Sequence, residues 1–163
     1  MNRVCLDSNI LGWANGVASE GQEHMIPLAQ ALVARLMNDP ETEIIVPTIV
    51  VSEFLSGIRH EKRHGIMKTM NLHFRIRPYD FDSSLVAVWL HDESKLKNTR
   101  KMLGGVTAVK FKADMFILAT AIAHGASTLY THDDGLIKMA TTLTHIKAFD
   151  LHSASCEPQG KNP

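Results

Sequence analysis

KFKADMFILATAIAHGASTLYTHDDG, the stretch from Lys110 to Gly135, decides how this chain folds. From Ala113 to Ala123 nearly every position is apolar, and a helix apolar on nearly every face is buried on nearly every face. Gly125 suits a left-handed cap at its end. Ser127–Tyr130 then reads as a short strand running into Thr131-His132-Asp133-Asp134-Gly135. The one full charge inside the helix is Asp114, expected in the first turn, where the helix dipole favours a carboxylate by roughly 0.3–1 kcal/mol. So small a term does not account for a further pair of acids at the end of the next strand. It matters, then, whether other acids meet them there.

At 163 residues and 45% hydrophobic content the chain can bury one real core but not two. Lys+Arg and Asp+Glu both number 17, so any polyanion partner must be held by a local basic patch rather than by net charge. Cys5 and Cys156 form neither a disulfide framework nor a metal-ligand spacing, which suits a reducing cytoplasm with Cys5 as a small core residue. The opening Met-Asn-Arg-Val-Cys-Leu-Asp reaches an acid too early for a signal-peptide core, and no apolar run is long enough to span a bilayer. A soluble cytoplasmic protein without membrane association is expected.

Outward from the central stretch, Val4-Cys5-Leu6 reads as a buried strand with Asp7-Ser8-Asn9 directly after it. That sets an acid at a strand's carboxyl end, where ligands sit in open α/β sheets. Trp13–Glu23, with Gly16 and Gly21, reads as a loop, and Pro27–Met37 as a helix. Glu43–Val46 is a second strand stopped by Pro47, followed by a helix from Thr48, its expected N-cap, to Ile58. Glu53 falls among apolar neighbours in that helix, where an unpaired charge is costly, and Arg59 is not at a pairing distance along the helix.

The basic stretch from His60 is expected to prolong that helix before a strand at Phe74–Pro78. Asp82-Ser83-Ser84 offers caps for a helix whose apolar side is Leu85, Val86, Val88 and Trp89, and Lys95–Gly105 reads as a basic loop. Gly135–Thr142 is a short helix and His145–Phe149 an edge strand. Residues 1–150 then form a single domain, and residues 151–163 a polar, disordered tail.

Alternating strands and helices argue for an α/β fold: a three-layer α/β/α sandwich with a central, mostly parallel sheet and right-handed crossovers. Asp7, Glu53, Asp114 and Asp133 then lie at or just past one carboxyl edge. They share a pocket if the first and fourth strands are neighbours. Two carboxylates about 4 Å apart repel by roughly 4 kcal/mol at an effective dielectric of about 20, so either some stay protonated or a cation binds among them. Hard oxygen ligands without paired Cys or His point to Mg²⁺ or Mn²⁺. Such an ion acidifies a coordinated water and stabilises charge on a phosphate oxygen, which suits hydrolysis of a phosphodiester.

VCLDSNIL at the start, VPTIVVSEFLSGI in the second unit, KADMFILATAIAHGASTLYTHDDGL in the centre and the closing IKAFD resemble, in order and spacing, a PIN-domain protein. The likeness is greatest to the VapC-type toxins of toxin–antitoxin pairs, and covers Val4 to about Phe149. The resemblance implies Asp7, Glu53 and Asp114 as a metal-binding triad, Asp133 as a more variable fourth acid, and Asn9 and Thr131 as neighbouring polar contacts. It also implies Mg²⁺- or Mn²⁺-dependent ribonuclease activity, a homodimer and a small cognate antitoxin. The segment Asp92–Phe111 is longer than in a compact toxin of this kind.

Plainer roles exist for each residue. Asp7 suits a turn or cap, Glu53 a snorkelling surface acid, and Asp133 or Asp134 a helix start, Asp134 being assigned to that role. His132 reads as an exposed loop histidine and His124 as a helix-end partner of terminal carbonyls. The basic runs read as solvated faces unless they flank the acids, in which case Lys110 and Lys112 are the nearest candidates for RNA phosphates. Two other chemistries have a motif. His60-Glu61-Lys62-Arg63-His64 fits the H-E-x-x-H of zinc metalloproteases, but its inner pair is doubly cationic and no third ligand stands out. Asp7 after a strand suits the nucleophile of a haloacid-dehalogenase-like phosphatase, but such enzymes need a second acid two positions on, where this chain has Asn9. A non-catalytic binding domain would leave clustered acids without a counter-ion.

Overall fold

The structure, a computed structural model, describes residues 1–104 and 106–154. Strand β1 (Asn2–Leu6) leads into helix α1 (Ser8–Ala14) and then α2 (Met25–Asn38). Strand β2 (Thr42–Pro47) is followed by α3 (Thr48–Ser56) and α4 (His60–His73), and strand β3 (Arg75–Arg77) by α5 (Phe81–Leu96) and α6 (Thr99–Met102). Helix α7 (Ala108–Ala123), strand β4 (Thr128–Tyr130), α8 (Asp134–Leu143), strand β5 (Lys147–Phe149) and α9 (Leu151–Ala154) complete the chain. The strands form one sheet in the order β3-β2-β1-β4-β5, and every pairing among the described residues is parallel. With helices on both faces this is the three-layer α/β/α sandwich that the alternation of elements dictates.

Strand order reverses between β1 and β4, the switch point of the sheet. Leu6 lies beside Tyr130, so both strands end level and their next residues emerge together. The inner strands are continuously apolar at this end, Val4-Cys5-Leu6 and Ile44-Ile45-Val46 all being buried, as a sheet covered on both faces requires.

Helix α7 begins at Ala108, earlier than the apolar run suggests, because Thr107 caps it by accepting a hydrogen bond from the Lys110 backbone N–H at 3.2 Å. Asp114 is therefore not in the first turn, and the helix-dipole account of it fails: it is buried, a full turn further on. Gly125 does close the helix with φ +78°, and a Cβ there would lie 3.0 Å from the Arg3 guanidinium.

Several boundaries correct the sequence expectations. Trp13 is not in a loop; it is buried in α1. Pro47 rather than Thr48 stands at the N-cap of α3. That helix ends at Gly57 instead of running on, and α4 starts afresh at His60. Part of Lys95–Gly105 is helical, since α5 extends to Leu96 and α6 follows. The tail does not start at residue 151: Leu151 opens α9 and is fully buried, while residues 155–163 lie outside the described residues.

The largest correction concerns α5. Its cap is Asp80, which accepts from the Ser83 backbone N–H at 3.0 Å and the Ser83 hydroxyl at 2.7 Å. Its buried face is Ser83, Ala87, Leu90 and Ser94, mostly small residues, and α7 packs closely against it. Leu85, Val88 and Trp89, expected inside, are 56%, 62% and 46% exposed. Burial at residue 151 and exposure on α5 predict opposite mutational costs. In urea unfolding, Leu151→Ala is expected to lose about 2–5 kcal/mol and Leu85→Ala less than about 0.5 kcal/mol; equal losses would contradict this packing.

Candidate active site

The site is built where β1 and β4 end. The Asp7 backbone N–H donates to the Tyr130 carbonyl at 3.1 Å, continuing the ladder by one bond past the strands. Asp7 then caps α1: one carboxylate oxygen accepts from the Ser8 backbone N–H at 2.7 Å and the other from the Thr131 hydroxyl at 2.6 Å. The same hydroxyl oxygen accepts from the Asp133 backbone N–H at 3.0 Å. Thr131, itself fully buried, thus ties the two strand ends together. Asn9 adds a second tie, its side-chain oxygen accepting from the His132 backbone N–H at 3.3 Å.

Asp133 caps α8, with one oxygen accepting from the backbone N–H groups of Gly135 at 2.8 Å and Leu136 at 3.1 Å. Its other oxygen meets the Lys110 ammonium at 2.5 Å. That ammonium also stands 3.5 Å from Asp114, one turn along α7. Glu53 reaches the same place from α3 and lines the cleft together with Ser8. It is exposed, not enclosed by apolar neighbours as the sequence suggests. Asp7, Asn9, Glu53, Lys110, Asp114 and Asp133 all line one cleft of about 400 Å³.

Charge in this cleft is unevenly compensated. Burial pushes the Asp7 carboxyl up, outweighing its bonds from Thr131 and Ser8. Glu53 is raised by partial desolvation and then by the charge of Asp7. Asp114 is pushed up to about 6 by burial, with Asp133 and Asp7 adding to the effect and Lys110 opposing it. Asp133 alone is lowered, because the Lys110 ammonium and two backbone N–H groups outweigh its desolvation. One cation therefore satisfies one acid fully and leaves three resisting ionisation. Among the described residues no three His, Cys, Asp or Glu side chains converge tightly enough to form a preassembled metal cage.

The PIN domain pattern matches residues 4–141. The chain belongs to the PIN domain family. Solved structures share its architecture. VapBC from Salmonella typhimurium, bound to DNA, is similar with a TM-score of 0.61 at 15% identity, covering 93% of this chain and 99% of that one. VapBC2 from Rickettsia felis, bound to a DNA fragment from its promoter, gives 0.59 at 17% identity, with 91% and 98% covered. VapBC-1 from nontypeable Haemophilus influenzae gives 0.58 at 17%, with 92% and 98% covered. At such identities these likenesses speak for the fold. Among curated proteins none matches the chain in sequence.

The remaining sequence candidates of this PIN domain play other parts. Lys112 is exposed on the far side of α7 and does not line the acid cleft. His60, Glu61 and His64 are exposed on α4, with Glu61 paired to Arg59 at 3.5 Å, so the H-E-x-x-H stretch forms no enclosed site. Asp7 has both oxygens engaged, and Asn9, where a phosphatase would carry its second acid, is spent on the strand joint. Asp134 is the exposed first residue of α8. His124 caps α7 but turns its ring to the Pro78 carbonyl and Asp80, both at 3.3 Å.

Two contributors escape a sequence reading. Ser8 lines the cleft and favours the charged form of Glu53, and its only signal is adjacency to Asp7. His132 is not a free loop histidine: it hydrogen-bonds Asp150 and stands edge-on to Trp13 at 5.2 Å. Asp150, just before α9, has no local sequence signal for that partnership.

A carboxyl whose pKa is raised on folding stabilises the fold while protonated in both states, and stability falls as pH rises through the window between the unfolded and folded values. For Asp114 that window runs from 3.8 to about 6. Asp114→Asn is therefore expected to match the wild type near pH 4 and to exceed it by about 1–2 kcal/mol above pH 6, at 1.36 kcal/mol per pKa unit less solvent screening. Urea midpoints from about pH 4 to 8 measure this, and parallel curves for the two proteins would rule out Asp114 as the source.

Proposed function

We propose that this PIN domain is a Mg²⁺- or Mn²⁺-dependent endoribonuclease, the toxin of a type II toxin–antitoxin pair that acts in the cytoplasm. The observation carrying this reading is the cleft that Asp7, Glu53, Asp114 and Asp133 line together, with the Lys110 ammonium standing between Asp114 and Asp133. Burial, and after it the charge of neighbouring acids, makes three of these carboxyls harder to ionise, a cost that a bound cation would offset. An oxygen-only donor set fits a hard divalent ion, and Mg²⁺ keeps most of its waters and takes one or two carboxylates, so a tight preformed cage is not needed.

Asp7 and Asp114 are the residues proposed to hold the ion, with Glu53 and Asp133 beside them. When bound, a divalent ion acidifies water and stabilises charge on a phosphate oxygen. The protein's own groups do the remainder. Asp7 is fixed by Ser8 and Thr131 so that its carboxylate does not swing away from the cleft. Glu53, on the exposed side with a raised pKa, is suited to take a proton from water entering with the substrate. Lys110 offsets part of the acid charge, which lessens repulsion of an incoming phosphate. Asn9 and Thr131 keep both strand ends in register and so set the spacing of Asp7 from Asp133.

A cognate antitoxin and a homodimer belong to the same proposal. Two of the similar VapBC structures are bound to DNA, and the likeness of the sequence to VapC-type toxins implies an antitoxin partner. Here Phe81, Leu85 and Val88 leave an apolar stripe on α5 open to water, and such stripes mark protein contacts. Among the described residues no helix is long and apolar enough to cross a membrane. Cys5, fully buried with its thiol held protonated by desolvation, is inert to redox chemistry.

RNA cleavage by the purified protein is expected with Mg²⁺ or Mn²⁺ and not with chelator. Asp7→Asn and Asp114→Asn should each lower the rate at least about 100-fold, roughly 2.7 kcal/mol of barrier. Metal at about ten times its Kd should stabilise the wild type by about 1.4 kcal/mol in thermal melts. No cleavage with either metal, together with an unmoved melting temperature, would refute the assignment.

A further inference from the structure

A second pocket lies on the side of α7 away from the acids. Lys110, Ala113, Asp114 and Ile117 face the acid cleft, whereas Ala108, Phe111, Lys112 and Met115, a stripe at helical spacing, face this pocket. It holds about 260 Å³, somewhat less than pockets for drug-sized ligands and suited to a single ring system. Its floor is apolar, formed by Ala108 and the largely buried Phe111 and Met115. Lys95, Arg100, Lys101 and Lys112 stand at its rim, and no carboxylate lines it. Among the described residues Arg100, Lys101 and Lys112 make no ion pair, while Lys95 has only a 3.8 Å contact with exposed Asp92. Asn98, in the left-handed region at φ 50°, adds an amide that can both donate and accept. Most of these residues belong to the stretch Asp92–Phe111, of which the acid cleft takes only Thr107, Val109 and Lys110.

We propose that this pocket binds one unpaired nucleotide of the RNA outside the cut, its base against the apolar floor and its phosphate on the cationic rim. The inference rests on the ribonuclease reading and gives it a second substrate contact. An apolar ring joined to a negative charge is the ligand that a dry floor and an uncompensated basic rim select together, and base burial with basic tracking of the backbone is how single strands are held. The two sites connect over the start of α7. Thr107 and Val109 border the acid cleft and Ala108 between them borders the pocket, so consecutive residues at the start of one helix line both sites. A helix is about 10–12 Å across, a span that a flexible strand covers in a few linkages. An acidic peptide would answer to the rim, but only one with an aromatic side chain next to its acid would also fill the floor, whereas every nucleotide carries both groups.

The test compares the full-length wild type, an Arg100→Ala/Lys101→Ala variant that trims the rim, and Ala108→Phe, which fills the pocket from an exposed position without altering any charge. On a single-stranded oligoribonucleotide of about ten residues, both variants are expected to raise KM about tenfold or more with kcat unchanged. On a dinucleotide too short to reach the pocket they should match the wild type. Binding of the labelled decamer, followed by anisotropy, should lose about 0.7 from its log–log salt slope for each phosphate contact removed by the rim variant. A decamer carrying 5-iodouridine should photo-crosslink to the peptide containing Phe111 and Met115.

Unchanged KM on the decamer, or equal losses on both substrates, would overturn the proposal and leave the ribonuclease reading intact. Rim variants that keep RNA binding but release an acidic peptide would overturn it in favour of a protein ligand. If the wild type cleaves nothing, the ribonuclease reading falls separately. The pocket is then judged on binding: sensitivity of decamer affinity to Ala108→Phe upholds it, and absence of binding overturns it.

Discussion

The parallel pairing of β1 with β4 is the constraint on which the rest depends. It brings Leu6 level with Tyr130, and the hydrogen bonds just beyond, from Asp7 to the Tyr130 carbonyl and from the Thr131 hydroxyl to Asp7, join two segments that lie at opposite ends of the chain. Helix α7 packs against β2, α3 and α8, and its Asp114 is carried into the same cleft as Asp7 and Asp133. Burying Asp7 and Thr131 at this joint would be costly if either lacked a partner, and each has one in the other.

The electrostatics of the cleft follow from that joint. Asp133 is well served, by α8 backbone groups on one oxygen and Lys110 on the other, so its ionised form is favoured. Asp114 shares only the remainder of the same ammonium, and Asp7 has hydrogen bonds but no adjacent cation of its own. This inequality separates the cleft from an ordinary surface ion-pair network, where charges balance and carboxyl pKa values fall. The other two chemistries with a sequence motif lack any such gathering: the H-E-x-x-H residues face solvent on α4, and the position that a phosphatase gives to its second acid holds Asn9.

Helix α5 illustrates how packing distance overrides hydrophobicity. Ser83, Ala87 and Ser94 let α7 approach closely, and larger side chains on that face would hold the helices apart. The bulky residues of α5 are turned outward as a result. A surface rich in Phe, Leu and Val is thus a consequence of how the interior is spaced, and it leaves the domain with an apolar flank suited to another chain.

The sequence by itself determined the parallel α/β order, the central helix with its Gly125 turn, and four acids at strand or helix positions near one sheet edge, because period and punctuation are local properties. It misplaced the start of α7, since a run of apolar residues marks where a helix is buried, while Thr107 marks where it begins. It read Trp13 as loop because nearby glycines outweighed a short helix whose support is tertiary. It could not see Asp150 reaching His132, nor Lys110 between Asp114 and Asp133, as these partners meet only when separate elements dock. Which way α5 faces, and that Lys112 and Lys110 open onto different pockets, were likewise decided by tertiary packing: two lysines two residues apart on a helix point to different neighbours, and only those neighbours say what each can touch.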